Sequence, residues 1–96
     1  MSHNEKGREG RMTAWLRCRL DMGMFSDEVA VTYPATATGG YWQKSVFVPA
    51  TCVHREGENQ GKVKVTIVVK EGQKFAVLPS SQRDIVTPAE ADISQQ

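Results

Sequence analysis

A small all-β barrel of five to six strands, closed by a short C-terminal 3₁₀ turn, is the fold this sequence predicts. Residues 61–81, GKVKVTIVVKEGQKFAVLPSS, place Val63, Val65, Ile67 and Val69 on one side and Lys62, Lys64, Thr66, Val68 and Lys70 on the other. Period-two alternation of β-branched residues marks a half-buried strand. Turn signals recur at roughly 8–12-residue spacing, as in small sandwiches and barrels. No segment carries a helical period for longer than a turn. So short a chain must pair its sheet edges, and closing the sheet does that.

The central hairpin has a register that parity can argue. A two-residue loop at Glu71-Gly72 would set Val68 against Phe75 and Ile67 against Ala76, splitting the apolar residues between two faces. A three-residue loop, Lys70-Glu71-Gly72, pairs Ile67 with Phe75 and Val65 with Val77, and puts Gly72 at the left-handed position of a G1 bulge. The second register is the expectation, with Val65, Ile67, Phe75 and Val77 all in the core.

Upstream, residues 1–11 (MSHNEKGREGR) hold no large apolar side chain after Met1. They are expected to be a disordered arm, with one barrel domain over 12–93 and a frayed tail at 94–96. From Ala14 a strand sets Leu16, Cys18 and Leu20 inward and Trp15, Arg17, Arg19 and Asp21 outward. Gly23 interrupts an apolar run and suggests a bend. EVAVTY resumes with Val29, Val31 and Tyr33 together, and Pro34 ends it.

Residues 41–48, YWQKSVFV, form the next predicted strand. Trp42, Lys44, Val46 and Val48 share a face; Tyr41 and Phe47 lie opposite, so both faces carry aromatics. Pro49 breaks that strand, and Thr51-Cys52-Val53 reads as a short helical turn or strand end. Ile85-Val86 is a candidate closing strand. Thr87-Pro88-Ala89-Glu90 has the form of a capping box for one 3₁₀ turn.

Composition narrows the function classes. The chain has 96 residues, twelve Lys and Arg, eleven Asp and Glu, and a net charge of +1. One modest core is what that length supports. A charge near zero gives little overall pull toward nucleic acid or anionic membrane, so only a local patch could. No apolar run approaches the roughly 18 residues of a membrane span. With no signal-like apolar segment at the start, the cytoplasm is the expected compartment; if the sequence is a piece of a longer protein, it is the periplasm.

Three segments, GMFSDEVAVTYPA, VFVPATCVHREG and VTIVVKEGQKFAV, resemble the β-barrel domain of periplasmic adaptor (membrane fusion) proteins of efflux systems. Those barrels carry a Gly-Met-aromatic step before an alternating strand, then a Val-Pro-Ala strand end and a short strand-turn-strand. The resemblance covers about half the chain and has neither the coiled-coil hairpin nor the lipoyl-like half of a full adaptor. It implies an adaptor-barrel-like or Src-homology-3-like barrel acting in assembly, and no catalytic residue.

Reactive chemistry finds little support. Cys18, Cys52 and His54 fall short of the four ligands a structural zinc site uses. Ser80, Ser81 and the two cysteines are candidate nucleophiles, but only His54 could act as base, and no nucleophile elbow surrounds them. Glu56 and Glu58, or Asp27 and Glu28, read as solvated turn residues. The expectation is a non-enzyme with no cofactor and no metal. Its first reading is a module for protein–protein interaction or assembly, through Tyr41, Trp42, Lys44 and Phe47, with a second copy (a homodimer by strand addition) or another protein. The alternative is a single-stranded nucleic-acid barrel using Trp15, Arg17, Arg19, Lys62 and Lys64. An ordinary lysine-rich solvent face is the bland account of those residues, and the net charge favours it over nucleic acid.

Overall fold

The computed structural model describes residues 10–36 and 45–95. The strands are β1 (Gly10–Met22), β2 (Glu28–Thr32), β3 (Val46–Pro49), β4 (Val53–Arg55), β5 (Gln60–Lys70), β6 (Gln73–Val77), β7 (Ile85–Val86) and β8 (Ile93–Ser94). They form one antiparallel sheet, ordered β3-β2-β1-β5-β6-β7, curled into a half-barrel. Its short additions are β4, beside β5, and β8, beside β1.

Two long strands make the spine. β1 and β5 pair without interruption from Gly10 against Val69 to Arg19 against Gln60. Each then lends its outer edge to two partners in turn. β1 carries β8 at Trp15 and Leu16 and β2 from Arg19 onward. β5 carries β4 at 61–63 and β6 at 66–70.

Alternation fixes which side faces inward. Ala14, Leu16, Cys18 and Leu20 of β1 are buried, as are Val63, Val65 and Ile67 of β5, with Val29, Val31 and Val48 from β2 and β3. One core row crosses four strands, Ile93–Leu16–Val63–Val53. Removing apolar area from water in such rows is the main stabilising term, at about 25 cal/mol per Å².

The hairpin register departs from expectation. Lys70 pairs with Gln73, Val68 with Phe75 and Ile67 with Ala76, so the loop is Glu71-Gly72 alone. Both loop residues have positive φ, 54° and 83°. That is the two-residue turn whose twist matches its flanking strands. The core therefore receives Ala76 and Leu78, at 0% and 1% exposure, while Phe75 and Val77 are half-buried on the outer face. Counting Leu78 with the apolar set restores the parity that Phe75 and Val77 alone suggested.

Other boundaries shift by a few residues. β1 begins at Gly10, so Gly10 and Arg11 belong to the sheet; the rest of the expected arm lies outside the described residues. Ser94 pairs with Trp15 rather than fraying. A 3₁₀ turn at Ala50–Cys52 precedes β4. The C-terminal 3₁₀ turn spans Glu90–Asp92, with Ala89 as N-cap and no capping side chain, so Thr87 does not cap it. The Tyr33 hydroxyl holds that turn instead, accepting from the Ala89 N–H at 2.9 Å and donating to the Asp92 carboxylate at 2.6 Å.

Candidate functional site

The outer face of β1, β5 and β6 gathers charge that is scattered in the sequence. Outward positions of β1 are Arg11, Thr13, Trp15, Arg17, Arg19 and Asp21; those of β5 are Gln60, Lys62, Lys64, Thr66, Val68 and Lys70. The register sets Trp15 beside Lys64, Arg17 beside Lys62, and Arg11 beside Val68. Phe75 continues the last row, and His54 continues the Arg17–Lys62 row. Asp21 is the one outward acid of these strands.

Within that face the cations differ. Arg19 is bound to Asp21 at 2.9 Å, and Asp21 also accepts from Asn59 at 3.1 Å. Asn59 in turn exchanges bonds with the backbone of Leu20. Arg19 thus serves a structural knot at the end of the ribbon. Lys62 sits 3.6 Å from the Glu56 carboxylate and 5.8 Å from the Trp15 ring centroid, within cation–π range. Among the described residues, Arg11, Arg17, Lys64 and Lys70 have no acidic partner.

A groove of about 410 Å³ opens where β4 and β6 part from the edge of β5. Thr13, Cys52, Lys64, Thr66 and Arg83 line it. It adds the Arg83 guanidinium to the margin of the basic face.

No family model, curated protein or solved structure matches this chain.

A second surface lies at the β1–β2 turn. Met22, Met24 and Phe25 are 90%, 77% and 67% exposed. The turn that presents them is tied down: the Glu28 N–H donates to the Phe25 carbonyl, the Met24 N–H to the Glu28 carboxylate, and the Ala50 N–H to the Asp27 carbonyl. β3 runs alongside as the sheet's terminal strand, with Phe47 43% exposed on its outer face. Of the four binding residues expected on the strand at 41–48, Phe47 is described; Tyr41, Trp42 and Lys44 lie outside the described residues. Gly23 marks the bend in the sequence, but nothing local says that the neighbouring Met22, Met24 and Phe25 face solvent.

Of the residues considered for reactive chemistry, Cys52 and Ser80 both line the groove, while His54, the candidate base, does not. Cys18 is buried in the core, and burial pushes its thiol from 9.0 up to about 12. His54 is exposed on β4 and Cys52 half-buried in the groove. Among the described residues, no three His, Cys, Asp or Glu side chains gather as a metal site would require. Ser80 is buried, its hydroxyl donating to Asp84 while accepting from the Asp84 N–H. That arrangement closes the loop after β6. No described helix is long and apolar enough to cross a membrane.

Proposed function

We propose that this chain is a non-enzymatic binding module that docks a protein partner at the end of the sheet formed by the β1–β2 turn and the edge of β3. The observation that carries it is the exposure of Met22, Met24 and Phe25 on a turn held by backbone hydrogen bonds. Large apolar side chains exposed together mark contact surfaces more often than chance placements do. A held turn also presents them with less ordering left to do on binding. Phe47 extends the surface, and the outer edge of β3 pairs with no other described strand, which opens it to strand addition by a second copy or another chain.

Light scattering across a concentration series tests the reading, with chemical crosslinking in cell extract for a heterologous partner. Met24→Ser with Phe25→Ser should abolish self-association or the crosslinked species, and Phe47→Ser should weaken it. Association unchanged in both variants, or a wild type that is monomeric and uncrosslinked, would remove the reading.

A further inference from the structure

We propose that the outer face of β1, β5 and β6, a surface separate from the apolar end, binds single-stranded nucleic acid. Net charge argues against this only if charge is spread evenly, and it is not. Arg11, Arg17, Lys62, Lys64 and Lys70 all project from adjacent strands on one face; of the acids around it, Asp21 is committed to Arg19, and Glu56 and Asp92 border the Arg17–Lys62 end.

The arrangement works against stability. Arg17 and Lys62 are direct cross-strand partners. Like charges at that spacing repel, and sheets ordinarily place an opposite charge or a threonine there. Glu56 relieves Lys62 in part, at 3.6 Å. A polyanion lying on the face would relieve both.

Rings among the cations select the kind of polyanion. Trp15 lies beside Lys64, one row along from the Arg17–Lys62 pair, half-buried, with the Lys62 ammonium over its ring. Phe75 is half-buried at the other end of the face, in the row of Arg11. A phosphate that drew Lys62 away would bare the indole for a base. Unpaired bases stack on such rings, and bases inside a duplex do not reach them. From Arg11 to Arg17 the strand runs about 20 Å at roughly 3.3 Å per residue, a span suited to a short run of nucleotides. The groove beside Lys64, with Arg83 on its rim, lies along the same path.

Anisotropy titrations with labelled 12-mer DNA and RNA single strands of mixed sequence, beside a duplex of equal length and heparin, provide the test. Both single strands should bind. Raising salt from about 50 to 200 mM should weaken them about 20–50-fold, as expected for three or four neutralised phosphates. Arg17→Glu with Lys64→Glu should cost at least tenfold, and Arg17→Ala with Lys64→Ala, both at exposed positions, should show the same direction with an unaltered circular dichroism spectrum. In a Trp42→Phe background, binding should quench the remaining Trp15 emission. The proposal is overturned by no binding at about 50 mM salt, by affinity indifferent to both double variants, or by duplex or heparin binding as tightly as the single strands with Trp15 emission unchanged.

Discussion

Arg17 and Lys62 face each other across the β1–β5 ladder, and Lys62 turns from that meeting toward Glu56 and the ring of Trp15. Reversing one charge should therefore stabilise the fold. Arg17→Glu converts a like pair into an opposite one, and a cross-strand charge pair is worth about 0.2–1 kcal/mol. The urea midpoint should rise while single-strand binding falls. A lower midpoint would show that Arg17 contributes packing that outweighs the repulsion.

The hairpin loop offers a cleaner gain. Glu71 holds φ of 54° and Gly72 83°, so both central positions are left-handed. Asparagine tolerates that region far better than glutamate, and Asn-Gly is the preferred pair for this turn. Glu71→Asn should raise the thermal midpoint, whereas Gly72→Ala should lower it. Equal midpoints for wild type and Glu71→Asn would argue for a different loop conformation in solution.

How legible this was depends on where each signal lives. The inward faces of β1 and β5 were readable because local alternation alone decides them, down to Cys18 and Ile67. The hairpin register was misjudged because it rests on a competition: Phe75 and Val77 look more hydrophobic than Ala76, yet Leu78 and a left-handed Glu71 decide the outcome. β4 and β8 carry three and two residues, too few for any period to register, and exist because the long strands have edge to lend. The basic face was visible as residues on two strands, but their adjacency depends on the β1–β5 pairing, which no local pattern specifies. The apolar turn was missed because Met22 keeps the inward parity of Leu20 and lies beyond the point where the core ends.

Gly61 leaves no room for a side chain. It is buried between Cys18 on β1 and Arg55 on β4. A methyl there would collide with the His54 carbonyl oxygen and the Leu20 side chain, and the first of these is backbone that cannot swing aside. Gly61→Ala should cost about 1–3 kcal/mol by overpacking and loosen β4 first. Amide exchange of residues 53–55 should speed up most. Ile67→Ala, by contrast, leaves a cavity in the centre of the core and should cost about 2–5 kcal/mol with no local bias.

Tyr33 fastens the C-terminal turn through one oxygen, bonded to both Ala89 and Asp92. Tyr33→Phe keeps the ring against the core and removes both bonds. A typical net value for a hydrogen bond is about 0.5–1.5 kcal/mol, somewhat more where a carboxylate accepts. The loss should appear as faster exchange at Ile93 and Ser94, since β8 hangs from that turn. Unchanged exchange there would mean that Ile93 packing alone holds the strand.

Alkaline pH should expose the cost of burying Cys18. Its thiol sits among Leu16, Leu20 and Val63 in the core, and burial carries it from 9.0 to about 12. The sign follows from proton counting. Below pH 9 the thiol is protonated in both states, and its titration leaves stability unchanged. As pH rises past 9 the unfolded chain releases this proton while the folded chain keeps it, so stability falls until the folded thiol also ionises near 12. The steepest slope one group can impose is about 1.4 kcal/mol per pH unit. Burial first, then the bond to Asp92, raises the Tyr33 phenol as well, adding in the same direction. Cys18→Ala should therefore start less stable, from the small cavity it leaves, yet lose less stability between pH 8 and pH 10.5. Urea midpoints of the two proteins across that range should converge as pH rises. Parallel lines would show that Cys18 reaches solvent readily in the folded state, and maleimide labelling would then modify it as fast as the half-exposed Cys52.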